Sequence, residues 1–78
     1  MAMEVVIPEL GDGVEEATVA FWFKKEGDSV EIGEELVEIE TDKAAIKIEA
    51  PISGILLEIL AEEGASIQIG DCIGTIGE

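Results

Sequence analysis

Few side chains in this sequence can do chemistry. Its 78 residues include one cysteine and four cationic residues, all lysines, with no histidine or tyrosine. Without an imidazole or an activated lysine, Ser29, Ser53, Ser66 and Cys72 have no base to make them nucleophiles. Carboxylates abound, yet they alternate with apolar residues in short runs, which is the pattern of solvated strand faces and not of an acid–base pair in a pocket. Glu34-Glu35 and Glu62-Glu63 lack the spacing of a calcium loop, so no metal is expected. The glycines are scattered as turn punctuation and form no phosphate cradle. A chain this short also has little room for a substrate pocket, and a self-sufficient enzyme is not expected. What remains is an amine that could be presented outward to be reached or modified, and Lys43 is the one set out for it.

Lys43 sits in a segment that pairs with itself if the chain folds at Asp42-Lys43. Thr41 then faces Ala44, Glu40 faces Ala45, Ile39 faces Ile46, Glu38 faces Lys47 and Val37 faces Ile48. Alternation puts Val37, Ile39, Ile46 and Ile48 on one apolar face and Glu38, Glu40 and Lys47 on the other, with Glu38 and Lys47 as a favourable cross-strand pair. Two-residue hairpin loops favour Asn-Gly or Asp-Gly, because the matching turn needs positive φ at both central positions. A long cation at the second place therefore points to outward presentation. Lys47 projects from a strand opposite Glu38, and Lys24 and Lys25 close a strand near Gly27. Modification at the single site Lys43 is expected.

The elements around this tip read as strands. Apolar residues make up 47% of the chain, which excludes a disordered acidic tail, and they are mainly Val, Ile and Leu in short alternating runs. Turn signals recur at Gly11-Asp12-Gly13, Glu26-Gly27-Asp28, Gly33, Asp42-Lys43, Pro51 to Gly54, Glu63-Gly64 and Gly70. Strands are predicted over 3–8, 17–24, 28–32, 35–41, 44–50, 54–60, 65–69 and 72–76, all within one domain spanning 1–78.

A repeat organises them. A shift of 37 residues lays Glu26-Gly27, Ser29, Ile32-Gly33 and Ile39 on Glu63-Gly64, Ser66, Ile69-Gly70 and Ile76, and Ala17–Phe23 on Gly54–Leu60. Pro8 matches Pro51 at a shift of 43, so the first half carries six extra residues, a polar, Gly-rich excursion within Leu10–Glu16. The expected fold is all-β: a flattened barrel or sandwich of two four-stranded antiparallel sheets with quasi-two-fold symmetry. Phe21 aligns with Glu58 and is expected to face outward; Trp22 aligns with Ile59 and is expected in the core. The symmetry also places Lys43 at one pole and the chain ends at the other.

Charge narrows the partners. A net charge of −15, from 19 acidic residues against four basic ones, argues against nucleic acid, whose phosphates require Lys and Arg. The acids flanking the tip (Glu38, Glu40, Asp42) suggest steering toward a basic partner. No apolar run approaches a membrane span and no signal peptide opens the chain. With Cys72 the lone cysteine, read as packed, a reducing compartment is the default. The cytoplasm of a bacterium or archaeon is expected, or the mitochondrial matrix for a mature eukaryotic domain.

Glu40-Thr41-Asp42-Lys43-Ala44 on a hairpin tip resembles the lipoyl-attachment motif of the lipoyl domains of 2-oxo acid dehydrogenase complexes. The resemblance runs through Ile7-Pro8-Glu9-Leu10-Gly11-Asp12-Gly13, Trp22 with Lys25-Glu26-Gly27-Asp28-Ser29-Val30, and the Ala50-Pro51 and Ser53-Gly54 pairs. It implies lipoate amide-linked to Lys43 on a swinging arm, with Asp42 and Ala44 as flanking recognition residues. It implies that Leu10, Gly11, Asp12, Gly13, Glu40 and Thr41 serve partner recognition. The implied partners are a lipoate ligase or lipoyl transferase, a thiamine-diphosphate-dependent 2-oxo acid dehydrogenase, the dihydrolipoyl acyltransferase core and a flavin-dependent dihydrolipoyl dehydrogenase. Acyl groups and electrons would pass among the last three, with pyruvate the expected 2-oxo acid although no residue here fixes that choice.

Either an excised N-terminal domain of an acyltransferase or a free-standing carrier fits, the first being preferred. The runner-up is a biotin carboxyl carrier domain. Its lysine is typically flanked by methionines, whereas the methionines here are Met1 and Met3. A glycine-cleavage carrier would be longer, and an unmodified acidic interaction module is the remaining alternative.

Overall fold

The computed structural model describes residues 2–11 and 13–77. It contains eight strands: β1 (Ala2–Val6), β2 (Glu16–Trp22), β3 (Ser29–Val30), β4 (Glu35–Glu40), β5 (Ala45–Glu49), β6 (Gly54–Ile59), β7 (Ser66–Gln68) and β8 (Cys72–Gly77). All eight expected strands are present, most of them shorter than predicted, while β1, β2 and β8 reach one residue beyond the predicted bounds at Ala2, Glu16 and Gly77. They form two four-stranded antiparallel sheets in the orders β1-β8-β6-β3 and β5-β4-β2-β7, a sandwich rather than a closed barrel.

The repeat in the sequence is a repeat in space. Carrying β2, β3 and β4 forward by the repeat gives β6, β7 and β8, and β1 gives β5, so each sheet order maps onto the other. The turns match too. Gly27 and Gly64 have φ of 95° and 92°, a left-handed conformation that glycine alone adopts without strain. Each passes its N–H to a strand of the other half, Gly27 to the Leu56 carbonyl at 2.7 Å and Gly64 to the Val19 carbonyl at 2.8 Å. The glutamate before each glycine reaches the same way. Glu26 Oε2 accepts the Ile59 N–H at 2.9 Å and Glu63 Oε2 accepts the Trp22 N–H at 3.2 Å. The two halves are therefore clasped reciprocally, by carboxylates that satisfy strand N–H groups close to a bulge in β6 and in β2.

Between the sheets lies one apolar core. Val5, Ile7, Val19, Val30, Leu36, Val37, Ile39, Leu56, Ile73 and Ile76 are almost fully buried. Trp22 joins them as expected, its ring buried and its Nε1–H donated to the Ala61 carbonyl at 2.7 Å, which satisfies the polar atom that would otherwise count against burying it. Phe21 points outward, also as expected. Strict alternation fails at Leu36-Val37, which are both buried. The register shifts between Glu35 and Val37, and this bulge turns two successive side chains inward.

The topology separates the tip from the chain ends. From Glu40 opposite Ala45, β4 and β5 run back to Glu35 opposite Glu49 and on to the Gly33 N–H on the Ala50 carbonyl. β1 runs the other way along the molecule, from Ala2, paired with Gly77, to Ile7, whose carbonyl accepts from Gly70 beside the tip. The Ala2–Gly77 pair is the symmetry mate of the Ala45–Glu40 pair at the base of the tip. In a body 35 Å long and 20 Å by 17 Å across, Lys43 and the described chain ends occupy opposite poles.

Candidate functional site

The β4–β5 hairpin has the register read from the sequence: Val37 with Ile48, Glu38 with Lys47, Ile39 with Ile46 and Glu40 with Ala45. The Thr41 N–H closes the ladder on the Ala44 carbonyl at 2.8 Å. The turn itself differs from the expectation. No residue other than glycine has positive φ among the described residues, so Asp42 and Lys43 do not adopt the mirror-image turn. The Thr41 side chain replaces it. Its Oγ1 accepts the N–H of Lys43 at 3.1 Å and of Ala44 at 3.0 Å, and donates to the Ala44 carbonyl at 3.0 Å. A threonine turn of this kind needs no glycine, which is why Lys43 is tolerated at the tip.

Asp42, Lys43 and Ala44 are exposed, as is Glu40, and Thr41 is half-buried. The lysines differ in how they are engaged. Lys24 Nζ lies 2.8 Å from Glu34 Oε2; that hydrogen bond raises the ammonium's pKa and lowers the carboxyl's. Lys47 Nζ lies 3.5 Å from Glu35 Oε2. The register sets Lys47 opposite Glu38 as expected, but its ammonium reaches along the strands to Glu35, which corrects the expected ion pair. Lys43 and Lys25 form no ion pair among the described residues. Lys25 opens a turn that is laid against the body, since Gly27 within it bonds to Leu56 on β6. Among the described residues, the tip at Thr41–Ala44 makes its hydrogen bonds with itself. Lys43 is thus an exposed lysine at the apex of a self-bonded turn, with no ion pair among the described residues.

Beside the tip runs an open trough of about 950 Å³, floored by β2 and β7 and walled by Gly13–Glu16 on one side and Glu40–Asp42 on the other. Gly13–Glu16 of the excursion therefore face the tip across this trough. Its parts play different roles. Gly11 and Gly13 are exposed with φ of 120° and 77°. Leu10 is half-buried and packs on the core, so it anchors the loop. Asp12 lies outside the described residues. Val14, which the sequence reading treated as part of a polar loop, is buried, and Glu15 accepts the Ile69 N–H at 3.2 Å. Single apolar residues at Leu10 and Val14, with no periodic partners, were the only sign of this anchoring.

Comparison with known proteins places this geometry. A biotin/lipoyl family model, described as biotin-requiring enzyme, matches residues 3–76. The dihydrolipoyllysine-residue succinyltransferase component of the 2-oxoglutarate dehydrogenase complex of Rickettsia conorii is 44% identical over 78 residues, all of this chain and 20% of that protein. The corresponding component from Bacillus subtilis is 47% identical over 75 residues, 96% of this chain and 18% of that protein. The dihydrolipoyllysine-residue acetyltransferase component of the pyruvate dehydrogenase complex of Corynebacterium glutamicum is 45% identical over 78 residues, all of this chain and 12% of that protein. The chain thus spans a fifth or less of the relatives it matches. The solution structure of the lipoyl domain of the 2-oxoglutarate dehydrogenase complex from Azotobacter vinelandii superposes with a TM-score of 0.78 at 33% identity, covering 97% of this chain and 96% of that one.

Proposed function

The chain belongs to the biotin/lipoyl-attachment family, as a lipoyl domain, and from that membership we propose that Lys43 is its lipoate-bearing residue. Domains of this kind carry lipoate on a lysine and act as carriers. The observation that carries the assignment to Lys43 is the self-contained Thr41–Ala44 tip, which holds one exposed lysine at the pole opposite the described chain ends. Lipoate, when bound, supplies a dithiolane that takes up acyl groups and electrons; the chain's residues supply presentation. Thr41 fixes the turn, Asp42 and Ala44 flank the amine, and Gly11 and Gly13 shape the loop beside it. A tether near Ala2 and Gly77 would leave the arm free to reach several partners, raising its effective concentration at each.

We further propose that the domain serves a 2-oxo acid dehydrogenase complex, between the dehydrogenase, the acyltransferase core and the dihydrolipoyl dehydrogenase, after loading by a lipoate ligase or transferase. Relatives of both 2-oxoglutarate and pyruvate complexes resemble it, and the solved relative is from a 2-oxoglutarate complex, so 2-oxoglutarate is put ahead of the pyruvate read from sequence. The cytoplasm, or the mitochondrial matrix in a eukaryote, is the compartment proposed for it.

Intact mass after incubation with ATP, lipoate and lipoate ligase tests the site, with Lys43→Ala beside the wild type and biotin with its ligase as a second arm. One lipoyl unit on the wild type and none on Lys43→Ala is the expected result. Biotin uptake instead of lipoate would move the domain to a carboxylase.

A further inference from the structure

Loading changes the charge of the tip as well as its reach. The ligase forms the new bond from lipoate activated by ATP: the carboxyl carbon's bond to AMP breaks, its bond to Lys43 Nζ forms, and the ammonium's two surplus protons pass to solvent. A chain of net charge −15 thereby loses one of its four positive side chains. What that loss does depends on where the other charges stand.

The other three lysines lie down the molecule from the tip. Phe23 donates its N–H to the Leu36 carbonyl at 2.7 Å, so Lys24 is level with Glu35, at the far end of β4 from Glu40. At about 3.3 Å per residue that is roughly 15 Å below the base of the tip. Its Nζ is taken by Glu34 at 2.8 Å, and Lys25 lies one residue further on. Lys47 stands two pairs below the Glu40–Ala45 pair, and its Nζ turns away from the tip to Glu35 at 3.5 Å. The carboxylates are placed otherwise. Glu40 and Asp42 wall one side of the trough beside the tip and Glu15 and Glu16 the other, all four exposed. Asp71 stands on the turn after Gln68, also in the trough, and accepts its N–H at 2.8 Å. Lys43 is thus the only lysine at this pole, and it forms no ion pair with these acids among the described residues. Screening confines a charge to about 10 Å at 0.1 M ionic strength, so a surface touching the tip feels Lys43 and not Lys24 or Lys25.

We propose that acylation of Lys43 is itself a charge switch, which turns a tip of mixed charge into a wholly acidic one and so makes it complementary to a basic surface on the 2-oxo acid dehydrogenase. That enzyme then favours loaded over unloaded domain apart from any contact with the arm, and unloaded copies, which it cannot use, are kept from occupying it. The dehydrogenase is the partner named because it meets the arm in its oxidised, uncharged form. The lost ammonium is then the one difference in charge from the unloaded domain, whereas an acyl group derived from 2-oxoglutarate brings a carboxylate of its own to the later steps. The proposal rests on Lys43 being the loaded residue and on the dehydrogenase being a partner.

The test needs no loaded arm on the variants compared. Lys43→Gln removes the charge, Lys43→Arg keeps it, and neither can be loaded. Lys25→Gln and Lys25→Arg, at an exposed lysine far from the tip, control for net charge and for the exchange of residue type. Mass after incubation with ATP, lipoate and ligase comes first, and lipoate on Lys43→Gln would overturn the Lys43 assignment and the switch with it. Binding to a purified 2-oxoglutarate dehydrogenase component is then measured by calorimetry, with loaded wild type as the reference and every variant unloaded. Loaded wild type that does not bind would remove the dehydrogenase as partner. With binding established, Lys43→Gln should have a Kd roughly threefold below that of Lys43→Arg at about 0.1 M salt, with the gap closing near 0.5 M and the Lys25 pair agreeing within about 1.5-fold. Equal Kd values for the two Lys43 variants would overturn the proposal, as would a gap that salt leaves unchanged or that the Lys25 pair reproduces. Binding by neither Lys43 variant at about a hundredfold above the loaded domain's Kd would overturn it too, because recognition would then lie in the arm alone.

Discussion

Thr41 and Ala44 are bonded to each other in both directions. The Ala44 carbonyl accepts the N–H of Thr41 at 2.8 Å and its hydroxyl at 3.0 Å, while that hydroxyl accepts the Ala44 N–H at 3.0 Å. One side chain thus does the work that a glycine with positive φ does in commoner two-residue hairpins. The tip is held without dictating which residue stands at its apex, and that freedom is what a modified lysine requires.

Thr41→Val keeps the shape of the side chain and removes three hydrogen bonds. At roughly 1 kcal/mol each when formed, and less at an exposed site, the loss should lower unfolding free energy by about 1 kcal/mol. The larger effect should be local. Amide exchange at Lys43 and Ala44 should accelerate at least tenfold more than in the core strands, and loading of Lys43 by lipoate ligase should slow. Thr41→Ser should restore both; a Val variant with native exchange rates would show that the hydroxyl does not order the turn.

Gly54→Ala should destabilise the fold by about 1 to 3 kcal/mol, measured as a fall in urea midpoint with unchanged slope. A Cβ at Gly54 would collide with the carbonyl oxygen of Gly77, a backbone atom that cannot move aside. The repeat by itself suggests the opposite, since Ala17 occupies the symmetry-mate position and is simply buried. A neutral Gly54→Ala would mean that β8 shifts freely at Gly77.

The contrast between Gly54 and Ala17 marks where the sequence stops being informative. Strand positions, hairpin register, the division into two symmetric four-stranded sheets and the outward Phe21 and inward Trp22 follow from alternation and the repeat, because each depends on which face a side chain must take. The exposed Lys43 and its flanks were legible for the same reason. The turn conformation was not, since Asp-Lys argues only against a mirror-image turn and says nothing of the threonine that replaces it. The burial of Val14 was missed because a lone apolar residue in a glycine-rich loop carries no period. The Lys47 partner was missed because a long side chain can reach diagonally to Glu35 as readily as straight across to Glu38.

Cys72 should behave as a packed thiol. Desolvation raises its pKa, and the Sγ–H is donated to the Gly74 carbonyl at 3.4 Å. Alkylation by iodoacetamide near pH 8 should be slower in the folded domain than in urea. A thiol whose folded pKa is raised favours folding while it is protonated, so that contribution is present below the unfolded thiol's pKa and is lost as pH rises through the higher folded one. Cys72→Ser should flatten this alkaline decline, and equal alkylation rates in folded and unfolded protein would contradict the reading.

Glu40 and Asp42 are exposed at the tip and Glu38 lies half-buried behind them, on a chain whose net charge is −15. Exposed acids of this kind contribute little to stability but create a field that extends about 8 Å at physiological ionic strength, enough to orient a basic partner before contact. Replacing all three by Gln, Gln and Asn should leave the unfolding free energy within about 0.5 kcal/mol of wild type. The second-order rate with the partner enzyme should fall several-fold at low salt, and its dependence on ionic strength should flatten. These changes belong to encounter, so they should appear in association and leave turnover at saturation unchanged. If the neutralised variant keeps both its rate and its salt slope, the acids around the tip serve solubility alone.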